Sequence, residues 1–118
     1  MGEKSKIVDL EYIREMTDNE EAAIKEMVDL FIEQIPMFID ELKNDLKTGN
    51  WQELAGMAHQ VKSSVAIMGM EETASLLKEL EINAKKKAHV QQYPKMISRI
   101  EHDCRQAIEE LKSINRTL

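Results

Sequence analysis

The chain is 118 residues long, 42% apolar, 32% charged and 4% aromatic, with one cysteine, four glycines and two prolines. That length suits one domain with a core of its own, the ordinary apolar content argues against intrinsic disorder, and Cys104 alone leaves nothing for an internal disulfide, a cysteine-rich zinc site or a C-x-x-C-H haem attachment. A net charge of −6, from 22 acidic against 16 basic side chains, disfavours nucleic acid and anionic membranes as partners.

Residues 1–6 read as a loose N-terminal lead-in and 7–118 as one helical domain. Helix formers dominate, and Gly and Pro are too sparse for a β fold with many turns. Residues 7–15 form a short amphipathic piece with Ile7, Leu10 and Ile13 or Tyr12 on one side. Thr17-Asp18-Asn19-Glu20-Glu21 offers cap oxygens and first-turn carboxylates that suit a helix start. From there to residue 47 a 3/4 spacing runs through Ile24, Val28, Phe31, Ile35, Phe38, Leu42 and Leu46. Pro36 lies inside this run and should kink the helix, although the pattern on both sides argues for continuation; a break at Pro36 is the alternative.

Thr48-Gly49-Asn50 closes that helix and caps the next. A second stripe, Trp51, Leu54, Ala58, Val61, Val65 and Met68, ends at Gly69. A third, Thr73, Leu76, Leu77, Leu80 and Ala84, runs into Lys85-Lys86-Lys87, three lysines that complement a negative helix end and read as solvated. The last stripe is Tyr93, Ile97, Ile100, Cys104, Ala107, Ile108, Leu111 and Leu118, with Pro94 in its first turn. Four such helices on short connections bury their stripes only against one another. The expected fold is therefore all-α: an antiparallel up-down four-helix bundle, with the short additional N-terminal helix over one end.

No stretch approaches the ~18–20 apolar residues of a membrane span, and the polar N-terminus offers no secretory h-region. With its single thiol, the chain is expected to be soluble and cytoplasmic, as a separate protein or a domain of a larger one. Spacing disposes of several chemistries. The residues three before His59, His89 and His102 are Gly56, Lys86 and Arg99, so the Glu-x-x-His pairs of a di-iron bundle are missing. No P-loop, G-x-S-x-G or G-x-G-x-x-G occurs.

What remains is the segment 58–70. At about 100° per residue, and with Val61 towards the core, His59 points away from it. Gln52, Ala55, Gly56, Lys62, Ser63 and Ala66 share that outer face. Small neighbours leave the imidazole proud of the surface, open to a bulky partner, and Gly56 costs roughly 1 kcal/mol of helix propensity against alanine. Lys62 puts a cation where a group attached to His59 would sit. A phosphoryl group brings ~1.5–2 negative charges, and neutral imidazole is a competent nucleophile. A plain exposed surface histidine is the competing reading.

The run Ala58-His59-x-Val61-Lys62-Ser63-Ser64-x-x-x-x-Gly69, followed by Leu76, Leu77, Leu80 and Glu81, resembles the histidine-containing phosphotransfer (HPt) domain. Phe31-Ile32-Glu33-Gln34-Ile35-Pro36 and Gly49-Asn50-Trp51 extend the likeness over roughly residues 7–115. One departure is Ser63, where the family has glycine four residues after the histidine. The resemblance implies a phosphorelay carrier, not an autonomous kinase. His59 would accept a phosphoryl group from a receiver phospho-aspartate and pass it to another receiver, with Lys62 as phosphate neighbour. It implies no cofactor in this chain, with Mg²⁺ on the receiver. Response-regulator receiver domains would be the partners, with a hybrid histidine kinase as a further one, and the chain itself a monomer.

Docking on the histidine's helix and the first two helices would involve Ile13, Met16, Ile32, Ala55, Gly56, Gln60, Ser63, Ala66 and Gly69, the last a clearance position with Gly56 and Ser63. Ile32 and Met37 lie outside the core stripe and fit either a broad core or this docking surface. A silent adaptor using the same face is the rival reading. A histidine-kinase dimerisation helix is disfavoured by Gln60 and by the lack of proline between His59 and Pro94, and metal binding by His89, His102 and Cys104 is a weaker option.

Overall fold

The computed structural model describes residues 7–115, so the lead-in 1–6 and Leu118 lie outside the described residues. It contains five α-helices: α1 (Glu11–Met16), α2 (Glu21–Thr48), α3 (Trp51–Ile67), α4 (Glu71–Lys86) and α5 (Tyr93–Asn115), with one 3₁₀ turn, Val90–Gln92, before the last. There is no strand among the described residues. Short connections force successive long helices to run antiparallel. α2 packs on α3, α3 on α4, α4 on α5 and α5 back on α2, which closes a four-helix ring.

Helix α2 runs through Pro36 unbroken, so the alternative of a break there is overturned. Its buried stripe is Ile24, Val28, Phe31, Ile35, Ile39, Leu42 and Asp45; Phe38 and Leu46 are only partly buried. The cap expected from Thr17 to Glu21 also differs. Glu20 occupies the N-cap without a side-chain bond, while the Thr17 hydroxyl donates to the Ile13 carbonyl at 2.8 Å. Asp18 and Asn19 take positive φ, which Asp and Asn tolerate, and so turn the chain between α1 and α2.

The α2–α3 corner forms as the sequence suggests. Gly49, at φ 69°, lets its own N–H reach the Leu46 carbonyl and that of Asn50 the Asp45 carbonyl, and the Asn50 side chain caps α3 by accepting from the Glu53 N–H at 3.3 Å. At the opposite end, residues 7–10 cross the bundle as a strap. The Ile7 and Val8 N–H groups donate to the Glu110 carboxylate at 2.9–3.1 Å, and the Asp9 N–H to the Met68 carbonyl at 2.9 Å. Ile13 of α1 is completely buried beneath.

Candidate functional site

Helix α3 carries the site because its two sides differ. Leu54, Ala58, Val61 and Val65 form a fully buried stripe, which leaves His59 on the opposite side, its side chain 60% exposed. Ala55, next to that stripe, is buried as well, and α3 packs most extensively on α4. From α4, a carboxylate then comes up beside the imidazole.

That carboxylate belongs to Glu81. Its Oε2 lies 3.1 Å and its Oε1 3.3 Å from His59 Nδ1. Lys62 Nζ donates to Oε1 at 3.1 Å, and Lys85 Nζ lies 3.0 Å from Oε2. The Glu81 side chain is only 9% exposed. Burial raises its pKa, but hydrogen bonds from Lys85, Lys62 and His59, with the charge of Lys62, outweigh that and hold it at about 2. An ionised carboxylate only accepts hydrogen bonds, so the ring nitrogen facing it carries the proton. In the neutral ring, the lone pair then lies on Nε2, the nitrogen turned from Glu81.

Gly56, Gln60, Ser63 and Ala66 are exposed, as the open-face reading requires. A methyl group added at Gly56 would meet nothing within 4 Å. The Ser63 hydroxyl donates to the His59 backbone carbonyl at 3.2 Å, so it follows its own helix instead of crowding the ring. Met16 is exposed on α1.

Three expectations need correction, those for Ala55, Ile13 and Gly69, and Ile32 and Met37 differ from each other. Ala55 is 3% exposed, because the helices packed on α3 reach round its flank and cover a position that helical arithmetic puts on the open face. Ile13 is buried under the bundle end and presents nothing to a partner. Ile32 is partly buried and packs against the core, whereas Met37 is 61% exposed. Gly69 gives clearance to this chain itself: at φ 74°, a Cβ there would overlap the carbonyl oxygen and Cβ of Asp9 in the strap.

The metal option also fails on geometry. His102 is exposed while Cys104 is buried, and among the described residues no group of three His, Cys, Asp or Glu side chains could hold a metal ion. Burial first, then the charges of Asp103 and Glu101, push the Cys104 thiol up to about 12, so it is not a reactive thiolate. No helix among the described residues is long and apolar enough to cross a membrane.

Glu81 is the site residue that reasoning on spacing did not single out. It occupies a core-facing turn of α4, between Leu80 and Ala84. A carboxylate in an apolar stripe is the signal that could have found it, since such a group is rarely buried without partners.

Two comparisons with known proteins bear on this arrangement. The Hpt domain family matches residues 26–114. The fold is similar to the crystal structure of histidine-containing phosphotransfer protein B (HptB) from Pseudomonas aeruginosa PAO1, with a TM-score of 0.87 and 22% identity over 98% of this chain and 99% of that one. At that identity the likeness speaks for the fold alone. No curated protein matches the sequence.

Proposed function

Since the chain belongs to the Hpt domain family, we propose that His59 is its phosphoacceptor. Hpt domains carry phosphoryl groups in phosphorelays, and this chain has that role, with receiver domains as the general kind of partner. The observation that carries the assignment to His59 is the exposed imidazole held at Nδ1 by Glu81, which leaves Nε2 as the nitrogen away from that carboxylate.

The transfer balances simply. The Nε2 lone pair attacks the phosphorus of a receiver acyl phosphate, and a P–N bond forms. The P–O bond to the aspartate breaks, its electron pair leaving with the carboxylate. No proton has to move. The ring keeps its Nδ1 proton and carries positive charge next to Glu81, and the reverse reaction on a second receiver regenerates neutral His59. Transfer of this kind depends on positioning and charge stabilisation more than on covalent chemistry by the protein. Lys62, 25% exposed and one turn along from His59, is the first cation for the phosphoryl oxygens.

Gly56, Gln60, Ser63 and Ala66 form the docking ground around the ring, with exposed Met37 and Met16 as apolar contacts. We assign Mg²⁺ to the receiver, and treat the chain as a monomeric, cytoplasmic carrier with no kinase activity of its own. A hybrid kinase is the natural source of the phosphoryl group. Incubation with a phosphorylated receiver should leave acid-labile, base-stable label on this chain. His59→Gln should abolish the label while leaving the far-UV spectrum unchanged. Uptake by His59→Gln at the wild-type rate would overturn the assignment; receiver binding with no label on either form would favour the silent adaptor.

A further inference from the structure

We propose that Lys85 is a second phosphate-holding residue, and that Glu81 yields its two lysines to the phosphoryl group when His59 is loaded. The inference rests on His59 as the phosphoacceptor. It starts from the charge around the ring.

Glu81 lies against His59 Nδ1, so a phosphoryl group on Nε2 joins a ring whose other nitrogen already faces a buried carboxylate. The group brings ~1.5–2 negative charges at neutral pH. Lys62 alone does no more than cancel Glu81. Lys85 supplies the surplus: two ammonium groups and one carboxylate leave the site net positive before the dianion enters.

Position supports the same conclusion. Lys85 Nζ and His59 Nδ1 contact the same oxygen, Glu81 Oε2, at 3.0 and 3.1 Å, while Lys62 holds Oε1. The two lysines thus reach the carboxylate from different helices. Lys85 is 65% exposed, so its flexible stem can swing from Glu81 to a neighbouring phosphoryl oxygen with little desolvation. A cation near the end of α4 would equally suit the helix dipole, but Lys86 and Lys87 share that end. What separates Lys85 from them is the contact with Glu81.

In the loaded state, the phosphoryl oxygens take Lys62 and Lys85, and Glu81 keeps the Nδ1 proton of the charged ring. On transfer to the next receiver, the lysines return to Glu81. The carboxylate is a resting partner for both cations, and keeps them beside an empty site without locking them there.

The test compares wild type, His59→Gln, Lys85→Ala, Lys85→Arg and Lys86→Ala by label uptake from one phosphorylated receiver, with folding checked by circular dichroism. Lys85→Ala should lower the transfer rate constant at saturating receiver by about fivefold, the scale of one partly solvated charge pair. It should also shorten the lifetime of phospho-His59, while leaving the half-saturating receiver concentration within about twofold, because the charge acts on the transferring group and not on docking. Lys85→Arg should restore most of the rate, and Lys86→Ala, with the same change in net charge, should match wild type. Equal rate and lifetime in Lys85→Ala, or an equal loss in Lys86→Ala, would overturn the role of Lys85 while His59 stands. Label on His59→Gln would instead overturn the phosphoacceptor reading itself.

Discussion

Glu81 remains ionised in a nearly closed position because three donors converge on it, and this has a consequence for stability. Its pKa in the folded chain, about 2, lies below its ordinary value of 4.5. The folded state therefore binds this proton less readily than the unfolded chain does. Its stabilising contribution is complete above pH 4.5 and is lost as the pH falls towards 2. Glu81→Gln keeps the shape and removes the charge. Wild type should be the more stable of the two at pH 7, and urea midpoints should draw together between pH 4.5 and 2. Other shifted carboxylates, such as Glu101, are common to both proteins and cancel in the difference. A gap that stays constant with pH would show that the charge of Glu81 contributes nothing to folding. At this scale, His59 and Lys62 were legible in the sequence because they share one turn of one helix. Their carboxylate was not, since it lies 22 residues from His59 on another helix, and only packing brings the two together.

Helix α3 shows why periodicity reads some faces and misses others. Its buried stripe follows the 3/4 spacing, because residues that far apart share a side. Ala55 escapes the arithmetic, since how far a neighbouring helix wraps round depends on the size of the side chains between them. In α2 the same cause replaces Phe38 by the adjacent Ile39: this helix is wedged between α3 and α5, and the two together decide which of neighbouring apolar residues is enclosed. Gly56 separates helix propensity from function within α3. No described residue needs the space above it, so Gly56→Ala should raise stability by up to about 1 kcal/mol in thermal or urea unfolding. The added methyl group stands one turn from His59, and should raise the receiver concentration needed for half-maximal uptake. A variant that is more stable and docks as well as wild type would show that Gly56 is not clearance for a partner.

The links that hold the whole molecule in one arrangement join residues far apart in the chain, which is why none was legible beforehand. Lys43 reaches Glu101 across α2 and α5 at 2.8 Å. The Thr73 hydroxyl donates to Asp103 at 3.0 Å between α4 and α5, with Arg99 on the other carboxylate oxygen. The strap is tied to Glu110, 103 residues on from Ile7, and is seated against Gly69. Two changes should release it by separate routes. Glu110→Ala removes the acceptor of two backbone N–H groups, at a cost of about 1–3 kcal/mol. Gly69→Ala leaves Glu110 in place but sets a methyl group into Asp9 and strains a backbone held at φ 74°. In both variants the Asp9 amide, now bonded to the Met68 carbonyl, should exchange with solvent faster than in wild type. The contacts of Glu81 with His59, Lys62 and Lys85 belong to α3 and α4 alone, so the phospho-His59 lifetime should be unchanged. Uptake from a receiver reports on something further, because exposed Met16 travels with the strap on α1. Uptake that weakens while the lifetime holds would make α1 part of the docking surface; uptake that also holds would confine docking to α2 and α3.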